Sequence, residues 1–147
     1  MPHHPHRSFP PTPAIPDASP GATTVYFDGA CPLCSREIAH YRRRDRQGRL
    51  RFIDIAGPDF DAAAEGLDAV RVHQVMHVRR PDGSLATGVD AFIAIWDALP
   101  GYGRLAQVAA TPGIHGLLRA GYRLFAAVRP YLPRRQVSSC SDGSCAV

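Results

Sequence analysis

The chain lacks lysine entirely, so all 17 of its basic residues are arginine, against 13 acidic residues. The formal net charge of +4 is a mild excess, too small to indicate nucleic-acid binding by itself. The sequence also lacks a run of about 20 apolar residues that could span a bilayer. Its first residues lack the apolar stretch of a secretory signal. These absences predict a cytoplasmic protein.

Composition predicts one domain with a short segment at each end. The 147 residues are 45% hydrophobic, which suffices for a core without disulfide support. Residues 1–22 are rich in proline and histidine and predict a disordered leader. Residues 133–147 are rich in serine and predict a flexible tail that carries two cysteines. We therefore expect the folded domain over residues 23–132.

The first half of this domain predicts a strand, a helix and a second strand. The segment TTVYF, beginning at Thr23, is β-branched and aromatic, as strands are. The segment CPLCSREIAHYRRRD that follows has the apolar spacing of a helix, and Gly48 stops it. Residues 49–56 predict a strand that is buried on both faces. Residues 59–67 predict a short helix.

The second half predicts a hairpin and helices. Residues 72–88 have strand character around a turn at residues 81–84. An amphipathic helix follows and ends at Pro100, and a last helix runs over residues 114–128. A strand–helix–strand start implies a parallel pair joined by a right-handed crossover. The prediction is an α/β, thioredoxin-like fold with a mixed central sheet flanked by helices and a C-terminal helical extension.

Two cysteines, Cys31 and Cys34, lie where the first helix should begin. At the N-cap, the Cys31 sulfur would face free backbone N–H groups and the positive end of the helix dipole, which stabilise a thiolate. Pro32 would then occupy the first helical position, which needs no N–H. Cys34 would lie one turn further on, close enough for a disulfide and more buried. Thiol-disulfide exchange needs such an exposed attacking thiolate and a protected resolving thiol.

Asp28 precedes this pair by three residues, and two interpretations of it stay open. A partly buried carboxylate there could accept the proton of Cys34 during the resolving step. Alternatively, Asp28 could be a turn residue whose side chain bonds the backbone before Gly29. The two roles are compatible with each other.

The motif D-G-x-C-P-L-C, with Asp28, Cys31 and Cys34, resembles the DCC family of predicted thiol-disulfide oxidoreductases. The later blocks RLRFIDI and DGSLATGVDAFIAIW are similar to further parts of that family, so the resemblance covers roughly residues 24–132. It implies a thioredoxin-like fold and thiol-disulfide exchange. The partners would be a protein or small-molecule thiol or disulfide substrate and a cellular thiol reductant. No metal or organic cofactor is needed, because electrons move through thiols.

The tail cysteines Cys140 and Cys145 allow three interpretations. They could complete a four-thiolate zinc site with Cys31 and Cys34, shuttle electrons to that pair, or be two exposed thiols or a labile local disulfide. A competing function is a non-catalytic thioredoxin-like binding module, with or without zinc on the cysteines, that docks a partner through the arginines of residues 42–51.

Two segments that carry arginines suggest two other classes of partner, nucleic acid and membrane. The arginines of residues 42–51 are more simply the solvated end of a helix than a nucleic-acid patch, so we expect no nucleic acid. The last helix carries Arg119 and Arg123 beside an apolar stripe. Such a helix could lie on a membrane surface, but docking on the domain's own core is the interpretation that the sequence favours.

Overall fold

The computed structural model describes residues 21–134. The predictions for residues 1–20 and for Cys140 and Cys145 in the tail therefore lie outside the described residues. Within the described part, no helix has both the length and the apolar character needed to cross a membrane.

All four strands lie in the first part of the described chain, together with two helices, and helices alone follow. In chain order the elements are β1 Thr23–Phe27, α1 Pro32–Arg44, β2 Leu50–Asp54, α2 Arg71–Gln74, β3 His77–Arg79, β4 Leu85–Thr87, α3 Val89–Ala98, α4 Gly103–Ala110, α5 Pro112–Val128 and a 3-10 turn Arg129–Tyr131.

The strands form one mixed sheet in the order β2-β1-β3-β4. β1 runs parallel to β2, while β3 is antiparallel to both β1 and β4. The parallel register pairs Phe27 with Asp54, so β1 and β2 end at the same edge of the sheet. This topology confirms the predicted α/β, thioredoxin-like fold with a C-terminal helical extension.

Alternate residues of β1 serve two apolar clusters, one on each face of the sheet. On one face, Val25 and Val78 pack with Ile38 of α1 and Ile95 of α3, and all four are almost completely buried. On the other face, Tyr26 packs with side chains of the loop after β2 and of α2. Burial of apolar surface on both faces fixes β1 at the centre of the domain, and the residues directly after it inherit that position.

Three local predictions were wrong. β2 is not buried on both faces, since Arg51 and Asp54 are exposed. The reason is that β2 is an edge strand, paired with β1 on one side alone. Residues 59–67 form turns rather than a helix; there, Asp61 Oδ1 accepts hydrogen bonds from two backbone N–H groups and Gly66 has a φ of 66°.

The third wrong prediction concerns Val72, which lies in helix α2 rather than in the hairpin. Asp68 Oδ1 accepts hydrogen bonds from the N–H groups of Val70 and Arg71, which lets a helical turn form there. The hairpin itself is confirmed, but it is limited to β3 and β4.

The helical extension is larger than the sequence predicts. Helix α4 was not foreseen as a separate element, and α5 begins at Pro112. Ala106 and Ala109 of α4 pack with Val89 and Ile93 of α3 in a small buried cluster, with Tyr122 of α5 at its border. The extension therefore packs on α3, and this contact directs α5 towards the end of β1.

Candidate functional site

The predicted dithiol motif lies at the end of β1, as the sequence indicates. Cys31 is the N-cap of α1 with an extended backbone, φ −84° and ψ 118°, and Pro32 is the first helical residue. The Cys31 N–H donates to the Asp28 carbonyl at 3.1 Å, and the Ser35 N–H donates to the Cys31 carbonyl at 3.0 Å. The Ser35 hydroxyl donates to the Gly29 carbonyl at 2.8 Å. These bonds hold the turn and the first helical turn together.

Asp54, at the end of β2, anchors the same turn from the neighbouring strand. Its Oδ1 accepts the N–H of Gly29 at 2.8 Å and that of Ala56 at 2.9 Å. A Cβ on Gly29 would lie 2.0 Å from Asp54 Oδ2, so only glycine allows this close approach. Sequence reasoning missed Asp54, although the predicted parallel pairing of the two strands, which brings their ends to one edge of the sheet, was a usable signal.

The two cysteines are free thiols that approach each other to 3.3 Å. Cys31 is buried, with 4% of its surface exposed, whereas Cys34 is half-buried. The expectation of an exposed Cys31 and a more buried Cys34 was therefore wrong. Cys31 is buried because the C-terminal segment lies against it. Ala126, Arg129 and other residues of that segment line, together with Cys31 and Pro32, a pocket of about 120 Å³.

The environment lowers the pKa of the Cys31 thiol. Burial by itself raises this pKa. Four effects lower it and together outweigh burial: hydrogen bonds from the backbone amide and the thiol of Cys34, the positive charge of Arg129 and a hydrogen bond from the amide of Leu33. Cys31 makes no side-chain cap hydrogen bond of good geometry. The amides of the first helical turn thus favour the thiolate through their orientation rather than through a short bond.

The same surroundings raise the pKa of Cys34 to about 12. Burial is the main cause, with further contributions from the hydrogen bond and charge of Cys31 and from the charge of Asp28, while Arg129 opposes the shift. Around Cys34 there is a small space of about 20 Å³ that Met76, Tyr122 and Phe125 help to line. The two thiols therefore differ in acidity, so Cys31 is the one that ionises first.

Asp28 is almost completely buried and meets two arginines from the far end of the chain. Its Oδ2 accepts a hydrogen bond from Arg129 Nη2 at 2.9 Å and another from Arg134. Its Oδ1 accepts the Ala30 N–H at 3.0 Å, so Asp28 does bond the turn backbone, but after Gly29 rather than before it. Sequence reasoning did not connect Arg129 or Arg134 with the motif, because no local pattern marks a partner 101 residues away.

Tyr122 of α5 completes the wall of the site. Its hydroxyl accepts the N–H of Met76, directly before β3, at 2.8 Å. Its ring lies against Gly88, where a Cβ would come within 3.3 Å of the Tyr122 Cε1 atom. Burial raises the pKa of the Tyr122 hydroxyl, which therefore stays protonated. Helix α5 is thus part of the dithiol site rather than a separate appendage.

Polar and charged residues outside the motif also make structural contacts. Asp90, in the first turn of α3, pairs with His115 at 2.7 Å. Arg42 stacks over the rings of Phe27 and Phe52 at 5.6 and 5.2 Å. Among residues 21–134 there is no group of three or more His, Cys, Asp or Glu placed to hold a metal ion.

Comparisons with known proteins agree with this geometry. The model of the DCC1-like thiol-disulfide oxidoreductase family matches residues 25–135, which is most of the chain. An uncharacterized chloroplastic protein of Arabidopsis thaliana is 33% identical over 75 residues, covering 50% of this chain and 35% of that relative. The match thus spans about a third of the relative's length. No solved structure matches the chain.

Arg129→Met tests the electrostatic role of Arg129. Loss of its positive charge removes a stabiliser of the thiolate, so we expect the pKa of Cys31 to rise. At a pH below the Cys31 pKa of both the wild type and the variant, alkylation should slow by about three- to tenfold, since the thiolate is the reactive form. The measurement is the rate of Cys31 alkylation by iodoacetamide against pH, read from the labelled peptide by mass spectrometry.

Because Arg129→Met also opens the pocket, each rate is divided by its plateau at high pH, so that the midpoint reports acidity and not access. Arg123→Met, an exposed change in the preceding helix α5, is the matched control and should keep the wild-type midpoint. An unchanged midpoint in Arg129→Met would contradict the assigned role.

Proposed function

Because the chain belongs to the DCC1-like thiol-disulfide oxidoreductase family, we propose that it exchanges electrons between its Cys31–Cys34 dithiol and the disulfide of a substrate. The observation that carries the proposal is the split in acidity between two thiols 3.3 Å apart, with the pKa of Cys31 lowered and that of Cys34 raised to about 12. In dithiol exchange one thiol attacks as the thiolate, and its partner then resolves the mixed disulfide.

The reaction has two balanced steps. The Cys31 thiolate attacks one sulfur of the substrate disulfide, forms a mixed disulfide and releases the other sulfur as a thiolate. Cys34 then loses its proton and attacks the Cys31 sulfur, which closes the intramolecular disulfide and releases the second substrate thiolate. The protons of the two protein thiols end on the two released thiols. The substrate is reduced and the protein is oxidised by two electrons; a cellular thiol reductant reverses the change.

We assign two roles to the residues around the thiols. Arg129 stabilises the Cys31 thiolate and holds the buried Asp28 carboxylate in place. Asp28 Oδ1 has one lone pair beyond its bond to the Ala30 N–H, and it accepts the proton of Cys34 in the second step. Asp28, Cys31 and Cys34 are thus the proposed catalytic residues, with Arg129 as a positioning residue.

The substrate reaches Cys31 through the pocket beside Pro32 and Arg129, since Cys31 is otherwise buried. A disulfide or thiol of a protein or small molecule is the proposed class of substrate. The reducing cytoplasm is the proposed location, because it keeps such a dithiol reduced.

Serine variants of the two cysteines test the proposed roles of Cys31 as the attacking thiol and Cys34 as the resolving thiol. Oxidised glutathione is the probe. Reduced wild-type protein should release two glutathione molecules and form the Cys31–Cys34 disulfide. Cys34→Ser should stop at a glutathione mixed disulfide on Cys31, whereas Cys31→Ser should react at least about tenfold more slowly, because the raised pKa of Cys34 leaves little thiolate. Intact and peptide mass spectrometry read the products.

The competing hypothesis, a non-catalytic binding module, predicts a different pattern for the same variants. Cys31 and Cys34 would then react with oxidised glutathione no faster than an ordinary thiol of the same exposure. Neither serine variant would accumulate a mixed disulfide at its remaining cysteine. That pattern would overturn the oxidoreductase proposal.

Asp28→Asn tests the proton acceptor, since it keeps the shape of the side chain and removes its basicity. We expect the first step to keep its rate within about threefold and the resolving step to slow at least about tenfold, as for loss of a general base. Rapid-quench sampling with oxidised glutathione separates the two steps, because the mixed disulfide accumulates only if the second is slow. Equal slowing of both steps would instead indicate a structural role, and an unchanged second step would remove Asp28 from the mechanism.

A further inference from the structure

Helices α4 and α5 leave a large apolar surface uncovered. Helix α5 has no fully buried residue along its 17 positions. Leu117 is 75% exposed and Leu124 69%, and Tyr131 in the following turn is 87% exposed. We call these residues, with their exposed apolar neighbours, the extension face; its members are Leu105, Val108, Ile114, Leu117, Leu124, Val128 and Tyr131.

This face differs from the side of α5 that packs on the domain. Tyr122 and Phe125 point towards the dithiol site and are half-buried. Leu117, Leu124 and Val128, spaced by seven and four residues, share another side of the helix. Added Cβ atoms at Gly113 and Gly121 would meet nothing within 4 Å, so open space surrounds this side in the described part of the chain.

The charged residues of the extension itself have a single sign, although Asp90 of α3 pairs with His115 of α5. Between residues 98 and 134 there is no aspartate or glutamate, while arginine occurs five times. Arg129 and Arg134 pair with Asp28. Arg104, Arg119 and Arg123 are exposed and form no salt bridge with any residue of the range 21–134.

We propose that the extension face docks on the surface of an anionic phospholipid membrane. A helix with a broad apolar side, a purely basic polar side and no acidic residue is suited to lie in such an interface, where its leucines enter the acyl boundary and its arginines meet headgroup phosphates. A second copy of the chain suits the face less well. Contact between two copies through this apolar side would leave Arg104, Arg119 and Arg123 without an acidic partner from the other copy's extension, which has none.

The face adjoins the dithiol pocket. Val128 and Tyr131 flank Arg129 and Pro130, which line the pocket beside Cys31. Docking would therefore bring the pocket opening close to the lipid surface. The inference goes beyond the proposed thiol-disulfide exchange and does not depend on it, since binding can be measured without any redox reaction.

The test is co-sedimentation of the full chain with vesicles of phosphatidylcholine, alone or mixed with phosphatidylglycerol. We expect binding to the mixed vesicles that weakens as salt is added. The double variant Leu117→Gln/Leu124→Gln should bind at least about tenfold more weakly, through loss of buried apolar area. The variant Arg119→Gln/Arg123→Gln should also bind more weakly and lose much of the salt dependence.

The matched control is Val70→Gln/Leu85→Gln, which changes two exposed apolar residues outside the extension and should bind like the wild type. Circular dichroism checks that every variant is folded; exposed sites are chosen so that folding is kept. Three results would overturn the proposal: no binding to mixed vesicles, equal binding to both vesicle types, or a dimer in sedimentation equilibrium that Leu117→Gln/Leu124→Gln abolishes. The last would assign the face to a second copy.

Discussion

The buried contact between Asp28 and Arg129 is the interaction on which the site depends. It joins the residue after the central strand β1 to the residue after helix α5, across 101 positions of sequence. Removing both charges from water is costly, and the pair is tolerated because each group is bonded to the other. The contact holds the end of the extension over the dithiol, which explains why Cys31 is only 4% exposed.

One arginine therefore serves two purposes. It neutralises Asp28, and its charge favours the thiolate of Cys31, while burial keeps Cys34 protonated with a pKa of about 12. Adjacent groups of the same kind can take opposite roles when their surroundings drive their pKa values apart. Tyr122 supports the arrangement by fixing α5 to Met76, beside β3. The extension thus supplies a positive charge and a wall of the site, whereas the segment from β1 to α1 supplies the two thiols.

The sequence predicts those parts of the site that depend on near neighbours along the chain. The strand, the turn at Asp28, the N-cap position of Cys31 and the first helical position of Pro32 all follow from local preferences, and the sheet follows from the order of its elements. Arg129, Tyr122 and the burial of Cys31 arise from packing between distant segments, so no local pattern reveals them. Strand β2 was misjudged for the same reason, because its apolar residues do not show that it lies at an edge.

The central claim is that Asp28 and Arg129 act as one buried unit, and a double-mutant cycle tests it most directly. The free energy of unfolding by urea would be measured for the wild type, Asp28→Asn, Arg129→Met and the double variant. The account predicts that the two single losses are not additive, with a coupling of about 2 kcal/mol. Losses that add to within about 0.5 kcal/mol would show that the two groups do not interact and would contradict the account.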